Sequence, residues 1–202
     1  MKTTRTLICL VISICCSRAE AQTAHLTLQS QPGDFIGGGQ NYDITFTPEN
    51  SYFFSSQVRR SLPSGAPAEL LFVLGLGQST PVALLFFGTD KLDTAMQRGF
   101  YANAQRADFA SAGHPGLDVS FDSRGCNTDT GNFTVTDFVY SPALGIESFS
   151  ATFEQHCEGG PAALFGTFSF QAAPEPSAMA LFGLSCIGAM GFCSHRKFRR
   201  AG

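Results

Sequence analysis

The sequence contains no tryptophan, and only 14% of its 202 residues are charged. Tryptophan is the commonest residue for stacking against sugars, so a carbohydrate-binding module would have to use tyrosine instead. There is also no G-x-S-x-G elbow, no H-E-x-x-H helix and no C-x-x-C pair. The familiar hydrolases and tetrahedral metal centres therefore lack support, and we expect no enzymatic activity and no cofactor. The candidate sugar platforms are Tyr42, Tyr52, Tyr101 and Tyr140.

Basic residues are scarce in the middle of the chain. Seven of the thirteen Lys and Arg residues lie in residues 1–21 and 174–202, but only two of the sixteen Asp and Glu residues do. The remainder has fourteen acidic and six basic residues, a net charge of −8. Phosphate backbones would repel such a domain, so we expect no nucleic-acid partner.

The N-terminus has the pattern of an export signal. Two basic residues are followed by an apolar run at residues 7–16, and Ala19 and Ala21 form an A-x-A cleavage site. This order predicts a signal peptide at residues 1–21, with the Sec machinery and signal peptidase as partners. A lipoprotein signal at Cys15 is the alternative, but a bulky isoleucine precedes that cysteine where a small residue is expected.

The C-terminus combines three features in a fixed order. Pro174-Glu175-Pro176 is a stiff, extended segment, and an apolar run that predicts a transmembrane helix at residues 178–195 follows it. The run is near the lower limit of the roughly 17–25 residues that cross a bilayer, so the helix would be a marginal anchor. A basic end should stay in the cytoplasm. Its residues are Arg196, Lys197, Arg199 and Arg200.

These three features closely resemble the PEP-CTERM sorting signal, which an exosortase recognises. The resemblance covers residues 174–200 and implies that Pro174, Glu175 and Pro176 form the recognition segment. It further implies a precursor held in the inner membrane by its C-terminal helix. Processing would then deliver the protein to the cell surface or the extracellular matrix, in association with exopolysaccharide. An ordinary single-pass tail anchor is the alternative.

Cysteine usage agrees with export. Five of the seven cysteines lie in the two terminal segments, which leaves only Cys126 and Cys157 in the central domain. Two cysteines in an oxidising compartment are expected to form a disulfide.

The central residues 22–173 have the pattern of a β domain. Apolar and polar residues alternate at residues 25–28, 42–47 and 149–156, which predicts half-buried strands. We therefore expect an all-β domain, an antiparallel β-sandwich of the jelly-roll type. Further strands are expected at residues 69–75, 82–88, 99–103 and 163–170, with a hairpin formed by residues 132–140 and 147–157.

Parts of this domain are similar to a β domain of unassigned activity that recurs in exported bacterial proteins. The similarity rests mainly on the sequences GCN at residues 125–127 and FEQHCEG at residues 153–159. Both expected disulfide partners lie within these motifs.

Two clusters of polar residues are candidates for chemistry. Glu154, His156 and Glu158 alternate in a strand, so they could share one face and bind a metal or transfer protons. The alternative is an ordinary solvated face of an antiparallel sheet. Three aspartates could gather around calcium, although turn stabilisation is the simpler interpretation. They are Asp118, Asp122 and Asp129.

The sequence thus favours an exported, exosortase-sorted surface or matrix protein with a structural or adhesive role. A carbohydrate-binding module is the first alternative, and a metal-dependent enzyme that uses Glu154, His156 and Glu158 is the second.

Overall fold

The computed structural model describes residues 22–76 and 82–172, which form an all-β domain. The predicted signal peptide with Ala19 and Ala21, and the predicted tail at residues 174–202, lie outside the described residues. The ten strands are β1 (Thr23–Ser30), β2 (Asn41–Phe46), β3 (Ser51–Ser61), β4 (Pro67–Leu76), β5 (Val82–Gly88), β6 (Gly99–Arg106), β7 (Gly116–Phe121), β8 (Asp129–Ser141), β9 (Gly145–Cys157) and β10 (Ala163–Gln171).

All ten strands belong to one sheet, in the order β2-β1-β10-β9-β8-β6-β7-β5-β4-β3. The expected all-β class is confirmed. The sheet curls into a nearly closed cylinder, so the two layers expected for a sandwich are opposite walls of one sheet. Every neighbouring pair is antiparallel except β6 and β7. The parallel contact is short: the last two residues of β6 pair with the first two of β7, because β7 starts level with the end of β6 after the connection at residues 107–115.

Phenylalanine fills the interior between the opposite walls. Phe72 on β4 packs against Phe149 on β9 and Phe168 on β10, with ring centroids 5.2 and 4.7 Å apart. Tyr42 on β2 packs against Phe121 on β7 at 4.6 Å. None of these strand pairs are neighbours in the sheet, so the contacts cross the core. Aromatic rings supply the bulk that the absent tryptophan would otherwise provide.

Most of the strands predicted from alternation are present. The predicted hairpin is formed by β8 and β9, which pair from Asp129 opposite Cys157 to Ser141 opposite Gly145. The two apolar runs are β4 and β5, a buried antiparallel pair. The sequence pattern did not predict β3, because this edge strand is Ser-rich and its exposed residues do not alternate with buried ones.

Strand β3 is held to its neighbour by an ionic network around one buried carboxylate, that of Glu69. Arg59 and Arg60 donate hydrogen bonds to the two carboxylate oxygens of Glu69, at 3.0 and 2.8 Å. Glu69 is completely buried, and burial raises its pKa, although Arg60 and Arg59 act in the opposite direction. Both arginines also contact Asp108. The network fixes an edge strand that pairs on one side only.

The disulfide joins Cys126 to Cys157, with Cα atoms 5.2 Å apart. It connects the end of β9 to the segment just before β8, as expected for that hairpin. Within the described ranges, no helix has the length and apolar character needed to cross a membrane.

Candidate functional site

The outer face of β1, β10, β9 and β8 carries a row of four threonines. Thr27 lies opposite Thr167, and Thr167 lies opposite Thr152, which in turn lies opposite Thr134. Directly opposite residues of an antiparallel pair project from the same face, so the four hydroxyls form a line across the sheet. The hydroxyls of Thr27 and Thr167 are 2.6 Å apart and share a hydrogen bond. We call this line the threonine row.

The rows on both sides of the threonine row are also polar. One contains His25, Ser169 and Ser150, and the other contains Gln29, Phe165, Glu154 and Asn132. Phe165 is 37% exposed and is the large apolar side chain of this row. We call the three rows together the hydroxyl face.

The hydroxyl face presents neither lysine nor arginine, and its residues are mostly neutral hydrogen-bonding groups. Its carboxylate, Glu154, is paired with His156, whose Nε2 lies 2.9 Å from Oε1. Asn132 donates to the other oxygen of Glu154 at 3.1 Å. The hydrogen bond from His156, followed by that from Asn132, lowers the pKa of Glu154. This carboxylate is therefore ionised and its oxygens are already hydrogen-bonded.

Glu158 does not join that pair, which corrects the expectation of three residues on one face. Strand β9 ends at Cys157, and Glu158 adopts a left-handed conformation with φ of 52°. Its carboxylate accepts hydrogen bonds from the backbone N–H of Asn127 at 2.6 Å and the hydroxyl of Thr128 at 3.1 Å. Glu158 thus fixes the loop before β8. The hydrogen bond from the N–H of Asn127 contributes most to lowering the pKa of Glu158, and the bonds from Thr128 act in the same direction.

A cleft of about 290 Å³ lies beside the threonine row, between β1 and β2. Thr27 and Gln29 line it from β1, and Asn41, Tyr42 and Asp43 line it from β2. Of the four tyrosines considered for sugar stacking, Tyr52 on β3 is well exposed, at 59%. The other three pack against aromatic rings of the domain: Tyr42 on Phe121, Tyr101 on Phe133 and Tyr140 on Phe138.

A second polar site lies at the disulfide end of the domain, where β6 ends. Strand β6 pairs with β7 only as far as Arg106 opposite Leu117, so the rest of β7 has no strand partner on that side. The side chain of Gln155 fills part of this gap, bonding the N–H of Val119 at 2.7 Å and its carbonyl oxygen at 2.9 Å. We call this region the β7–β8 gap.

Two buried aspartates lie at the β7–β8 gap. Asp118 is 7% exposed and accepts a hydrogen bond from Nε of Arg106 at 3.1 Å. Asp129 is 4% exposed, and neither of its carboxylate oxygens has a hydrogen-bond partner. Burial, aided by the nearby charge of Asp118, raises the pKa of Asp129 to about 8. Asp122, the third aspartate considered for calcium, lies in an exposed turn with φ of 49°.

The described part of the chain contains no group of three or more His, Cys, Asp and Glu side chains placed to hold a metal by themselves. Any ion at the β7–β8 gap would therefore need main-chain oxygens or water in addition to the two aspartates.

Comparison with known families decides the character of the C-terminal segment. A family model of the PEP-CTERM protein-sorting motif matches residues 172–197. The chain carries a PEP-CTERM sorting motif. It begins at the end of the β domain and includes Pro174, Glu175 and Pro176.

The PEP-CTERM motif implies an exosortase as the processing partner and an exported, membrane-anchored precursor. Searches of curated proteins and of solved structures found no match to the chain. The motif thus concerns the export and processing of the precursor, whereas the role of the β domain must be inferred from the domain itself.

The sequence did not reveal the threonine row or the β7–β8 gap. Thr27, Thr134, Thr152 and Thr167 are far apart in the chain, and only strand register places them in line. A signal was present nevertheless, since most of the outward-facing residues of β1, β8, β9 and β10 are Ser, Thr, Asn or Gln, and none of them is lysine.

Proposed function

We propose that this protein is an exosortase-processed component of the cell surface or extracellular matrix, with a structural or adhesive role and an association with exopolysaccharide. The observation that carries the proposal is the PEP-CTERM motif directly after the β domain. A domain that contains a disulfide and is followed by a sorting motif for exosortase processing is suited to display or release outside the cell.

The hydroxyl face supports the association with polysaccharide. Sugar hydroxyls both donate and accept hydrogen bonds, and threonine, serine, asparagine and glutamine side chains do the same. Phe165 adds an apolar surface on which the C–H face of a pyranose can rest. A face made mostly of neutral polar groups matches a neutral or weakly charged polymer better than it matches a protein partner, whose interface would normally bury a larger apolar centre.

We further propose that the domain is not an enzyme. The candidate acid–base pair, Glu154 and His156, is bonded internally and to Asn132. Glu158 holds the loop before β8 rather than contributing a third group.

Sorting is tested by fractionating a tagged full chain in its native host, with and without its exosortase gene. The expected result is a shortened form in the surface or matrix fraction of the wild-type host and an uncleaved form in the membrane of the mutant. A Glu175→Ala variant should behave in the wild-type host like the unaltered chain in the mutant. An identical size and location in both hosts would show that the motif does not direct processing.

Association with polysaccharide is tested separately by placing a charge in the middle of the hydroxyl face. Thr152→Lys and Thr167→Lys put a strongly hydrated ammonium in the threonine row, and we expect matrix retention to fall several-fold. Gln57→Lys on exposed β3 adds the same charge elsewhere and is the matched control. Equal retention of all three variants would contradict the assignment of this face, while leaving the sorting result unaffected.

A further inference from the structure

The carboxylate of Asp129 is buried without a hydrogen-bond partner. It is 4% exposed, and both of its oxygens lack a hydrogen-bond partner. Leaving a buried polar group without a partner costs about 1–3 kcal/mol, and more for a charged group. Such a group in a folded protein requires an explanation, and a bound ion is one of those that would satisfy it.

The surroundings of Asp129 indicate the charge of that ligand. Asp118 and Glu158 both lie near enough to act on Asp129 electrostatically, and Arg106 is the cation that opposes them. Arg106 is already engaged with Asp118 and with the carbonyl oxygen of Asn127. When Asp129 is ionised, three carboxylates face one guanidinium, and the two uncompensated negative charges match one divalent cation. Without an ion, a proton on Asp129 removes one of these charges.

The chemistry of the available atoms selects the kind of cation. Arg106 and the amide nitrogen of Gln155 act as hydrogen-bond donors at the site, so the groups left to bind a cation are the carboxylate oxygens of Asp129 and Asp118. Ca²⁺ takes six to eight oxygen ligands with flexible geometry, including carbonyl groups and water. The disulfide withdraws both nearby sulfur atoms from metal binding. Mg²⁺ requires a stricter octahedron of oxygens, which an irregular gap between two strands is less suited to provide.

We propose that Asp129 and Asp118 form a calcium-binding site at the β7–β8 gap, completed by main-chain oxygens or water. A bound ion would bridge the start of β8 and the middle of β7, which no strand pairing joins at this point. The site is independent of the proposed polysaccharide face, which lies on the outer surface of other strands.

The test uses the full chain with its disulfide intact, purified in mild detergent and stripped of metal with EDTA. Titration with CaCl2 followed by calorimetry should give one ion per chain, with an affinity in the roughly 0.1–1 mM range of extracellular calcium modules. In circular dichroism melts, about 10 mM CaCl2 should raise the melting temperature by about 3–6 °C. The same concentration of MgCl2 should raise it by less than half as much.

Three variants separate a specific site from general attraction of calcium to an acidic domain. Asp129→Asn should bind Ca²⁺ at least tenfold more weakly while still folding, because asparagine has nearly the same shape. Asp122→Asn removes an equal charge from an exposed turn and should bind like the wild type. Asp118→Asn provides a second variant of the site, with the same expected loss.

Three results would overturn the proposal. The first is no heat and no change in melting temperature of the wild-type chain at about 10 mM CaCl2, well above the affinity expected of such modules. The second is an undiminished response in both Asp129→Asn and Asp118→Asn. The third is an equal response to MgCl2, which would show that the site is not selective for calcium.

Discussion

At the scale of single residues, Asp129 makes the stability of the metal-free domain depend on pH. Burial, followed by the charges of Asp118 and Glu158, raises its pKa from 3.8 to about 8. The folded chain therefore holds a proton that the unfolded chain releases above about pH 4. The contribution of Asp129 to stability is complete below that pH and is lost as the pH rises towards 8, by up to about 1.4 kcal/mol per unit.

Replacing Asp129 with asparagine should remove this dependence. In EDTA at pH 7 we expect Asp129→Asn to be more stable than the wild type by about 1–3 kcal/mol, since folding of the variant does not require the uptake of a proton. The difference should grow between pH 5 and about pH 8, as measured by urea unfolding followed by circular dichroism. Asp122→Asn is the control and should show no such trend. A difference that stays constant with pH would mean that Asp129 does not titrate in this range.

Gly166 is a second residue whose identity is set by its surroundings. It lies opposite Phe153 in the β9–β10 pair, and a Cβ atom at Gly166 would be 2.2 Å from the ring. The ring covers the glycine, an arrangement that compensates for the missing side chain in a strand. We expect Gly166→Ala to lower the free energy of unfolding by about 1–3 kcal/mol through overpacking.

A double-mutant cycle identifies the cause of that loss. Phe153→Leu shortens the side chain that occupies the space, so Gly166→Ala should cost markedly less in the Phe153→Leu background. Urea denaturation of the four proteins gives the coupling energy. An equal cost in both backgrounds would place the obstacle elsewhere.

At the scale of elements, the disulfide holds the β8–β9 hairpin to the loop that precedes it. The bonded cysteines are 31 residues apart in sequence. Restricting an unfolded chain by a loop of that length stabilises the folded state by about 3–4 kcal/mol in the chain-entropy model. Replacing both Cys126 and Cys157 with alanine should therefore reduce the free energy of unfolding by about that amount.

The comparison of oxidised wild type, reduced wild type and the double alanine variant tests the origin of this loss. The last two should have similar midpoints in urea, both below that of the oxidised protein. A reduced protein as stable as the oxidised one would show that the hairpin does not depend on the bond.

Local sequence was sufficient for the elements whose hydrophobic pattern is simple. Strands β8 and β9 alternate clearly, and β4 and β5 are continuous apolar runs, so their positions could be predicted. Strand β3 could not, because an edge strand buries few residues and its ion pairs with Glu69 are long-range contacts. The parallel pairing of β6 with β7 likewise depends on the path of the connection at residues 107–115, which local sequence does not specify.

The same distinction applies to the candidate sites. Period-two spacing correctly placed Glu154 and His156 on one face, but it could not show that the strand ends before Glu158. Three aspartates close in sequence suggested calcium, yet only the ending of β6 explains why Asp118 and Asp129 are buried together and Asp122 is not. Register and strand ends are properties of the whole sheet.

At the scale of the whole molecule, net charge should determine which polysaccharides the protein accepts. The region between the terminal segments has a net charge of −8, and its hydroxyl face presents neither lysine nor arginine. A polyanion would be repelled at low salt, whereas a neutral polymer meets a face of matching hydrogen-bonding groups. Repulsion between exposed charges weakens as salt shortens the Debye length from about 30 Å at 0.01 M to about 3 Å at 1 M.

We therefore expect the processed protein, with EDTA present to exclude calcium bridges, to co-sediment with neutral polysaccharide to the same extent at low and high salt. Co-sedimentation with a uronate polymer, which is a polyanion, should be absent at low salt and at most weak at high salt. Thr152→Lys should reduce co-sedimentation with the neutral polysaccharide, and Gln57→Lys should not. Tight binding to the uronate polymer that weakens as salt rises would contradict the assignment of the hydroxyl face, because such binding requires a basic surface. Arg59 and Arg60 on β3 would then be the contact region.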